Sequence, residues 1–398
     1  MDRNFLNEST KFIPYGRQTI LEDDIEEVIK VLRSSYLTQG PVVNEFEEKL
    51  SKKLEVPYAV TLNSATSALH IACLSLGLRE GDILWTSPIT FVASANCARY
   101  CGASVDFVDI DPITGLMSLS ALEKKLKAAK KNNSLPKIVV PVHLSGASCD
   151  MKKIFDLSKK YGFLIIEDAS HAIGGKYFNK YVGSCQYSEI SVFSLHPVKI
   201  ITSGEGGVAT TKNITLAEKI KELRSHGITK DFTKFVLPEK ELWKYEQQDL
   251  GFNYRLTDIH AALGMSQLKR LDKVVEERNN LLENYKELSK GFSFQFLKIP
   301  ENVYSSVHLA IIKLDKKGKK FHRQVFEGMR AAGVGVQIHY IPVHLQPYYQ
   351  KQGFHFGQFP HAEAYSTNVI TLPLYPGLTF RDQEYIINKL IFLMEEFN

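Results

Sequence analysis

Short apolar segments alternate with amphipathic segments through the first two-thirds of this 398-residue chain. The apolar segments have the length of strands, and the segments between them carry apolar residues at helical spacing. Such alternation is typical of βαβ units, whose strands form a buried parallel sheet. We therefore predict an α/β fold with a mixed, mostly parallel sheet flanked by helices. The predicted strands are residues 58–62, 83–87, 104–110, 137–143, 163–168, 190–195 and 207–211, and the predicted helices are residues 66–78, 92–100, 120–131 and 150–161.

A second, smaller α/β unit is predicted in the C-terminal third. A long helical pattern begins near Thr257 and continues through Leu281, and we expect this helix to connect two domains. The predicted domains are a large one at residues 1–270, with residues 1–20 packing near the functional site, and a small one at residues 271–398. The elements predicted after the long helix are a strand at 307–314, a helix at 321–332, a strand at 335–341 and a helix at 381–396.

Charge and cysteine content argue against several classes of protein. The net charge of +5 is small against 49 basic and 44 acidic residues, so we expect no nucleic-acid partner. The five cysteines include no Cys-x-x-Cys pair, and we expect neither a bound metal nor a disulfide framework. No apolar run is long enough to span a bilayer, and the N-terminus lacks the layout of a signal peptide. We therefore expect a cytoplasmic protein with no membrane partner.

Two chemically active side chains follow predicted strands. Asp168 ends the strand at 163–168, and Lys199 follows the strand at 190–195. Ligands bind at the C-terminal ends of the strands in such sheets, so we expect both side chains in one site. A buried lysine can condense with an aldehyde, and a carboxylate can keep a pyridine nitrogen protonated, which predicts pyridoxal 5′-phosphate (PLP) as cofactor. Taken alone, the lysine would be a surface charge and the aspartate a helix cap; Glu167 points to the opposite side of its strand and is the weaker candidate.

A phosphate site is predicted between the first strand and the helix that follows it. Ala65, Thr66 and Ser67 lie there, where free N–H groups and the positive end of the helix dipole suit a phosphate. Ser194 could supply a further hydroxyl group. Small hydroxyl residues are also ordinary helix caps, so this interpretation depends on the neighbouring lysine and aspartate.

Aromatic and imidazole side chains are further candidates. Phe91 follows a strand end and could stack on a cofactor ring, although an aromatic residue also packs readily in a core. His171, three residues after Asp168, could contact the phenolic oxygen of the cofactor or a substrate, while His196 could instead fix the loop that carries the lysine. Neither histidine has metal-ligand spacing with another His or Cys.

Motifs of several other enzyme classes are absent from the sequence. The chain contains no Gly-x-Gly-x-x-Gly loop, no Walker lysine motif, no Gly-x-Ser-x-Gly elbow and no His-Glu-x-x-His. Dinucleotide oxidoreductases, P-loop enzymes and metallopeptidases are therefore disfavoured, and so is an NAD-dependent sugar epimerase.

Over nearly its whole length the chain resembles the sugar aminotransferases of the DegT/DnrJ/EryC1/StrS family. The resemblance implies the PLP-dependent transferase fold type I and a homodimer with shared active sites. It also implies aminotransferase activity, because relatives that dehydrate their substrate carry histidine where this chain has Lys199. The motifs that carry the resemblance are residues 64–68, 88–96, 167–171, 194–207, 224–227 and 250–258.

The resemblance also implies roles for individual residues. Lys199 would bind the cofactor covalently and move protons, Asp168 would hold the pyridine nitrogen, and Phe91 would cover the ring. The residues implied around the cofactor are Ala65, Thr66, Ser67, His171 and Ser194, with Asn253 reaching the phosphate of the cofactor in the other subunit. The residues implied in contact with the nucleotide sugar are Tyr15, Ser35, Tyr36, Leu37, Thr38, Ala65, Ser194, Asn253, His339, Tyr340, Ile341 and Pro342.

The implied substrates are L-glutamate and a nucleotide sugar. Residues 36–40, 245–248 and 339–348 are most similar to the members of the family that aminate C4 of a UDP-linked 4-keto-6-deoxy N-acetylhexosamine in pseudaminic acid biosynthesis. Two alternatives stay open at this point: an aminotransferase for another nucleotide-linked 3- or 4-keto sugar, and an inactive homologue that binds PLP or a sugar.

Overall fold

The computed structural model describes residues 12–238, 241–315 and 318–397, so residues 1–11 of the predicted N-terminal segment lie outside the described residues. The helices are α1 (Glu22–Leu32), α2 (Pro41–Lys53), α3 (Ala65–Ser75), α4 (Ala93–Tyr100), α5 (Leu119–Lys131), α6 (Met151–Tyr161), α7 (Ile214–Leu223), α8 (Asp258–Leu268), α9 (Leu271–Leu288), α10 (Lys319–Ala331), α11 (Pro347–Gln350), α12 (Pro360–Ser366) and α13 (Phe380–Glu396). The strands are β1 (Tyr58–Leu62), β2 (Ile83–Thr86), β3 (Ser104–Phe107), β4 (Ile138–Val140), β5 (Leu164–Asp168), β6 (Lys176–Tyr177), β7 (Lys180–Tyr181), β8 (Ile190–Ser194), β9 (Gly207–Thr211), β10 (Ile228–Thr229), β11 (Glu246–Gln247), β12 (Phe294–Phe296), β13 (Val303–Tyr304), β14 (Ala310–Leu314) and β15 (Val369–Leu372).

The central sheet has the strand order β1-β9-β8-β5-β4-β2-β3. The strands from β8 to β3 pair in parallel, whereas β9 runs antiparallel to both β8 and β1. Strands β4, β8 and β9 are buried along their whole length, as expected for a sheet covered on both faces. The predicted α/β fold with a mixed, mostly parallel sheet is therefore confirmed.

Local signals explain where the helices that cover this sheet begin and end. The Asp150 side chain accepts a hydrogen bond from the Lys153 N–H at 3.2 Å and caps the start of α6. Gly162 then ends the helix in the left-handed conformation, at φ 82°, which glycine adopts without steric penalty. The chain can therefore turn back at once into β5.

The C-terminal part of the chain forms a second core. Strands β12, β14 and β15 make a three-stranded antiparallel sheet, and α10 and α13 pack together beside it. Ile13, near the start of the described chain, is buried in this core, and its carbonyl accepts the Gly335 N–H at 2.7 Å. The division into domains at residues 1–270 and 271–398 stays a prediction. Within the described ranges, no helix is long and apolar enough to cross a membrane.

Two predicted elements are wrong. The long helix from Thr257 is two helices, α8 and α9, because the chain tightens between them: the Lys269 and Arg270 N–H groups donate to carbonyls only three residues earlier, each at 3.2 Å. The predicted strand at 335–341 is not a strand, because its backbone pairs with neighbours one residue at a time. Gln337 exchanges backbone hydrogen bonds with Thr371, an isolated bridge.

Candidate active site

The parallel pairing of β5 with β8 brings the two key side chains to one edge of the sheet. Asp168 pairs with Val192 in the register of the two strands, and the loop that carries Lys199 follows directly after β8. Both side chains line a cavity of about 610 Å³. The predicted site residues that line it together are Tyr15, Ala65, Thr66, Phe91, Asp168, His171, Ser194, Lys199, His339 and Tyr340.

Asp168 is buried and held in place by two hydrogen bonds. Its Oδ2 accepts from the Ser94 hydroxyl at 2.5 Å, and its Oδ1 accepts from the Ser170 N–H at 3.1 Å. A carboxylate has about four lone-pair sites, so these two bonds leave room for another donor in the cavity. The carboxylate can therefore accept an N–H from a heterocyclic ring.

Lys199 is prepared to act as a neutral amine. Burial lowers the pKa of its ammonium group to about 8, although the nearby Asp168 carboxylate acts in the opposite direction. An amine with this pKa is partly unprotonated near pH 7. It can therefore act as a nucleophile toward a carbonyl carbon or accept a proton.

Three imidazoles surround the lysine, and all are neutral at pH 7. Burial lowers the pKa of His171 and of His308 well below the usual range, and the charge of Lys199 adds to both effects. Burial and the same charge lower the pKa of His339 to about 3. The centroids of the His171 and His308 rings lie 4.5 Å apart. Each ring has an Nδ1 atom that has no hydrogen-bond partner among the residues described. The His171 Nε2 lies 3.2 Å from the Tyr340 hydroxyl.

The N-terminus of α3 forms another wall of the cavity. Ser64 caps this helix by accepting the Ser67 N–H at 3.1 Å. The N–H groups of Ala65 and Thr66 come before the first hydrogen bond within the helix, so they are free to bind an anion. The Ser67 hydroxyl instead donates to the Asn63 side chain at 2.6 Å, and Ser67 does not line the cavity.

Several predicted site residues do not line this cavity. Asn253 is exposed and pairs through its backbone with Ser225. Ile341 is exposed and Pro342 is buried, and neither lines the cavity. The four residues Ser35, Tyr36, Leu37 and Thr38 are exposed beside the start of α8, where Thr38 forms a bridge with Thr257. The roles of these residues stay predictions.

Ser94 and His308 are among the residues of the site that were not identified from the sequence. Ser94 holds the Asp168 carboxylate, and its position in the first turn of α4, three residues after Phe91, could have indicated it. His308 reaches the cavity from the C-terminal part of the chain, and no local motif indicated it. Phe91 itself lines the cavity and is 59% exposed, so one face of a ring bound there could rest on it.

Glu167 occupies the opposite face of β5, as its position in the strand predicts. Its carboxylate accepts hydrogen bonds from the Ser188 and Ser191 hydroxyls at 2.5 and 2.8 Å, and it lies 2.7 Å from the His143 Nε2. Burial alone would raise the pKa of Glu167, but these partners lower it. The residue is fully engaged in this buried network and is not available to a ligand in the cavity.

The unfilled bonding capacity of the cavity matches the groups of PLP. Asp168 can accept from the pyridine N–H, His171 lines the cavity with an Nδ1 atom that has no partner among the described residues, and the Lys199 amine suits the aldehyde. The free N–H groups of α3 suit the phosphate. In the part of the chain that the structure describes, no cluster of three or more His, Cys, Asp or Glu side chains could hold a metal ion.

Comparison with known proteins supports this match. A UDP-4-amino-4,6-dideoxy-N-acetyl-beta-L-altrosamine transaminase of Campylobacter jejuni is 39% identical over 388 residues, which cover 96% of this chain and 98% of that protein. Helicobacter pylori PseC, an aminotransferase involved in the biosynthesis of pseudoaminic acid, has a solved structure with a TM-score of 0.88 and 32% identity, covering 97% of this chain and all of that one.

A third relative has been solved with the cofactor. The PLP-form of the putative sugar aminotransferase Spr1654 from Streptococcus pneumoniae superposes with a TM-score of 0.88 at 29% identity, covering 97% of this chain and all of that one. The model of the DegT/DnrJ/EryC1/StrS aminotransferase family matches residues 18–391. The chain therefore belongs to the DegT/DnrJ/EryC1/StrS aminotransferase family.

Proposed function

We propose that this enzyme uses PLP to transfer an amino group from L-glutamate to C4 of a UDP-linked 4-keto-6-deoxy N-acetylhexosamine, a step of pseudaminic acid biosynthesis. The observation that carries the proposal is the presence of Lys199, with its lowered pKa, in one cavity with Asp168. The similarity to the Campylobacter transaminase over nearly the whole of both chains supports the sugar substrate.

Different groups of the cavity would bind different parts of the cofactor. When bound, PLP supplies an aldehyde that carries the amino group between substrates and a ring that withdraws electrons from the reacting carbon. Asp168 would keep the ring nitrogen protonated, since Ser94 and Ser170 already fix the position of its carboxylate. The N-terminus of α3 would bind the phosphate.

Lys199 would carry the protons of the reaction. With a pKa of about 8, its amine can remove a proton from the donor Cα near neutral pH and later deliver one to C4 of the sugar. Delivery from one fixed side chain reaches only one face of the sugar carbon. The position of Lys199 would therefore set the configuration of the new amine.

A substrate screen tests this function. The purified enzyme is loaded with PLP and L-glutamate and offered UDP-, dTDP- and GDP-linked keto sugars, and the products are analysed by mass spectrometry and NMR. We expect amination at C4 of the UDP-linked 4-keto-6-deoxy N-acetylhexosamine. Amination of only a dTDP- or GDP-linked sugar, or amination at C3, would mean that the substrate is another nucleotide-linked keto sugar. A cofactor band that persists with every amino donor would indicate an inactive homologue.

The proposed enzyme is a homodimer with shared active sites. Asn253 and residues 35–38 are exposed in the single chain and do not line its own cavity, as expected of residues that serve a second subunit. Large apolar side chains nearby in sequence are also exposed, with Leu242 at 93% and Trp243 at 77%. Exposed apolar surface of this kind is typical of protein interfaces.

Subunit complementation tests the shared site. Lys199→Ala and Asn253→Asp subunits carry different tags, are co-expressed, and are purified as all three dimer types. If Asn253 serves the cofactor of the partner, each mixed dimer keeps one intact site, and an equal mixture should recover about a quarter of the wild-type activity. The aspartate would repel the phosphate, so each variant alone should be nearly inactive. Mixed dimers without activity would show that Asn253 acts within its own subunit.

A further inference from the structure

A second cavity, of about 570 Å³, shares Lys199 with the active-site cavity. Its walls come from residues 17–21 of the N-terminal segment, the region where α8 meets α9, and the turn at Pro376 and Gly377. The roles proposed for Asp168 and for the N-terminus of α3 do not involve this cavity. Because Lys199 forms part of both walls, a molecule in the second cavity lies next to the residue that moves the proton.

The walls of this second cavity carry a surplus of positive charge. Arg17, Lys273 and Arg278 line it, together with one acid, Glu277, whose carboxylate accepts the Gly377 N–H at 2.9 Å. Three cations against one carboxylate attract an anion into a confined space.

A fourth cation of the wall is already neutralised. Both Nη atoms of Arg270 donate to the Asp24 carboxylate, at 2.9 and 2.6 Å, and one of them also donates to the Thr19 carbonyl at 2.9 Å. This ion pair fixes the N-terminal segment against α8 and α9. It therefore shapes the cavity without adding to its charge.

Arg278 is the most unusual of these cations, because it is only 1% exposed. Its Nη1 donates to the carbonyls of Val307, His308 and Leu374 at 3.2 to 3.4 Å, and its Nε has no partner among the residues that the structure describes. Burial lowers the pKa of the guanidinium to about 10, so it remains charged at pH 7. The Glu277 carboxylate opposes this effect of burial without forming an ion pair with Arg278, so a further anion nearby would stabilise the buried charge.

Lys273 and Arg17 supply charge at the accessible side of the cavity. Both are exposed, and neither forms an ion pair with any residue for which the structure gives a position. The Arg17 guanidinium lies over the Tyr375 ring, 5.0 Å from its centroid, which holds it in place. An anionic group that enters from solvent therefore meets two unpaired cations.

We propose that this second cavity binds the distal carboxylate of a dicarboxylic amino donor. The inference rests on the proposed function, because the donor must place its Cα proton within reach of Lys199, the residue common to both cavities. A donor whose reacting end lies at Lys199 can extend its side chain toward Arg17, Lys273 and the charge of Arg278. Guanidinium groups match the geometry of carboxylates, whereas a neutral side chain gains nothing from these charges.

Donor selectivity tests this inference. The double variant Arg17→Gln/Lys273→Gln and the wild type are loaded with PLP, and the loss of the cofactor band is followed with L-glutamate and with L-glutamine, which differ only in the distal group. We expect the kcat/KM for L-glutamate to fall about tenfold or more in the variant, the effect of losing hydrogen bonds to a charged group, while the value for L-glutamine changes less than about twofold. The double variant Lys286→Gln/Lys290→Gln removes the same number of charges outside the cavity, and this charge-matched control should behave as wild type.

The outcomes separate this inference from the function on which it rests. Equal losses with both donors, or no loss with either, would overturn the inference. If the wild type reacts with neither donor, the proposal that glutamate is the amino donor is wrong. Calorimetric titration with glutarate then still tests whether the second cavity binds a carboxylate. Weaker glutarate binding by about tenfold in the double variant supports a carboxylate site, and equal binding refutes it.

Discussion

Replacing Lys199 with alanine should reduce aminotransfer by at least about a thousandfold, because general acid–base catalysis by one side chain alone contributes in the range of 10²–10⁴ and the covalent attachment is lost as well. The variant should still bind PLP, since Asp168, His171 and the N-terminus of α3 are unchanged. Borohydride treatment followed by peptide mass spectrometry should find the cofactor attached to residue 199 in the wild type and to no residue in the variant.

The lowered pKa of Lys199 adds a second measurement to this prediction. Only the neutral amine attacks an aldehyde, so covalent capture of PLP by the cofactor-free protein should speed up with pH below about 8 and level off above it. Stopped-flow absorbance gives this profile directly. A Lys199→Ala variant that keeps near-normal aminotransfer, or a profile that still rises steeply above pH 9, would contradict the proposed role.

The second large effect is expected for Asp168→Asn. The amide has almost the same shape and can still accept the Ser170 N–H, but it carries no charge to hold a proton on the ring nitrogen. Losing one such electrostatic partner of a reacting group typically reduces rates by 10²–10³, and we expect a fall in this range. The measurement is the single-turnover rate of cofactor conversion with L-glutamate.

A structural effect is separated from this catalytic one by two comparisons. Thermal unfolding of Asp168→Asn should stay close to wild type, because its neighbours Ser94 and Ser170 keep their partners. Glu167→Gln should lower the thermal stability and leave the rate nearly unchanged, because it disrupts the buried network with His143 but leaves the cavity wall intact. A fall of equal size in the rates of both variants would mean that Asp168 has no special place in the reaction.

The elements that depend on local signals could be predicted from the sequence. The first strand, Tyr58–Leu62, and the strand Gly207–Thr211 have the predicted bounds, because a short apolar run in a doubly covered sheet is a strong signal. The break between α8 and α9 could not be predicted. It accompanies the ion pair of Arg270 with Asp24, and the partner is far away in the sequence.

The candidate site also combines positions that local sequence signals predict with positions that they do not. The strand ends place Asp168 and Lys199 together, and this follows from the parallel sheet alone. His308 comes from a distant part of the chain, and the orientation of Ser67 depends on its bond to Asn63, so neither could be read from spacing. Tertiary contacts, rather than local preference, decide these positions.

The two adjacent acids of β5 make the strand sensitive to its own alignment. Glu167 and Asp168 point in opposite directions, one into a closed set of donors and the other into the cavity. A slip by one position against β8 would turn the wrong acid toward the ring. Deleting one apolar residue from Leu164–Ile166 should therefore abolish aminotransferase activity, although every chemical group that the reaction needs is still present in the polypeptide.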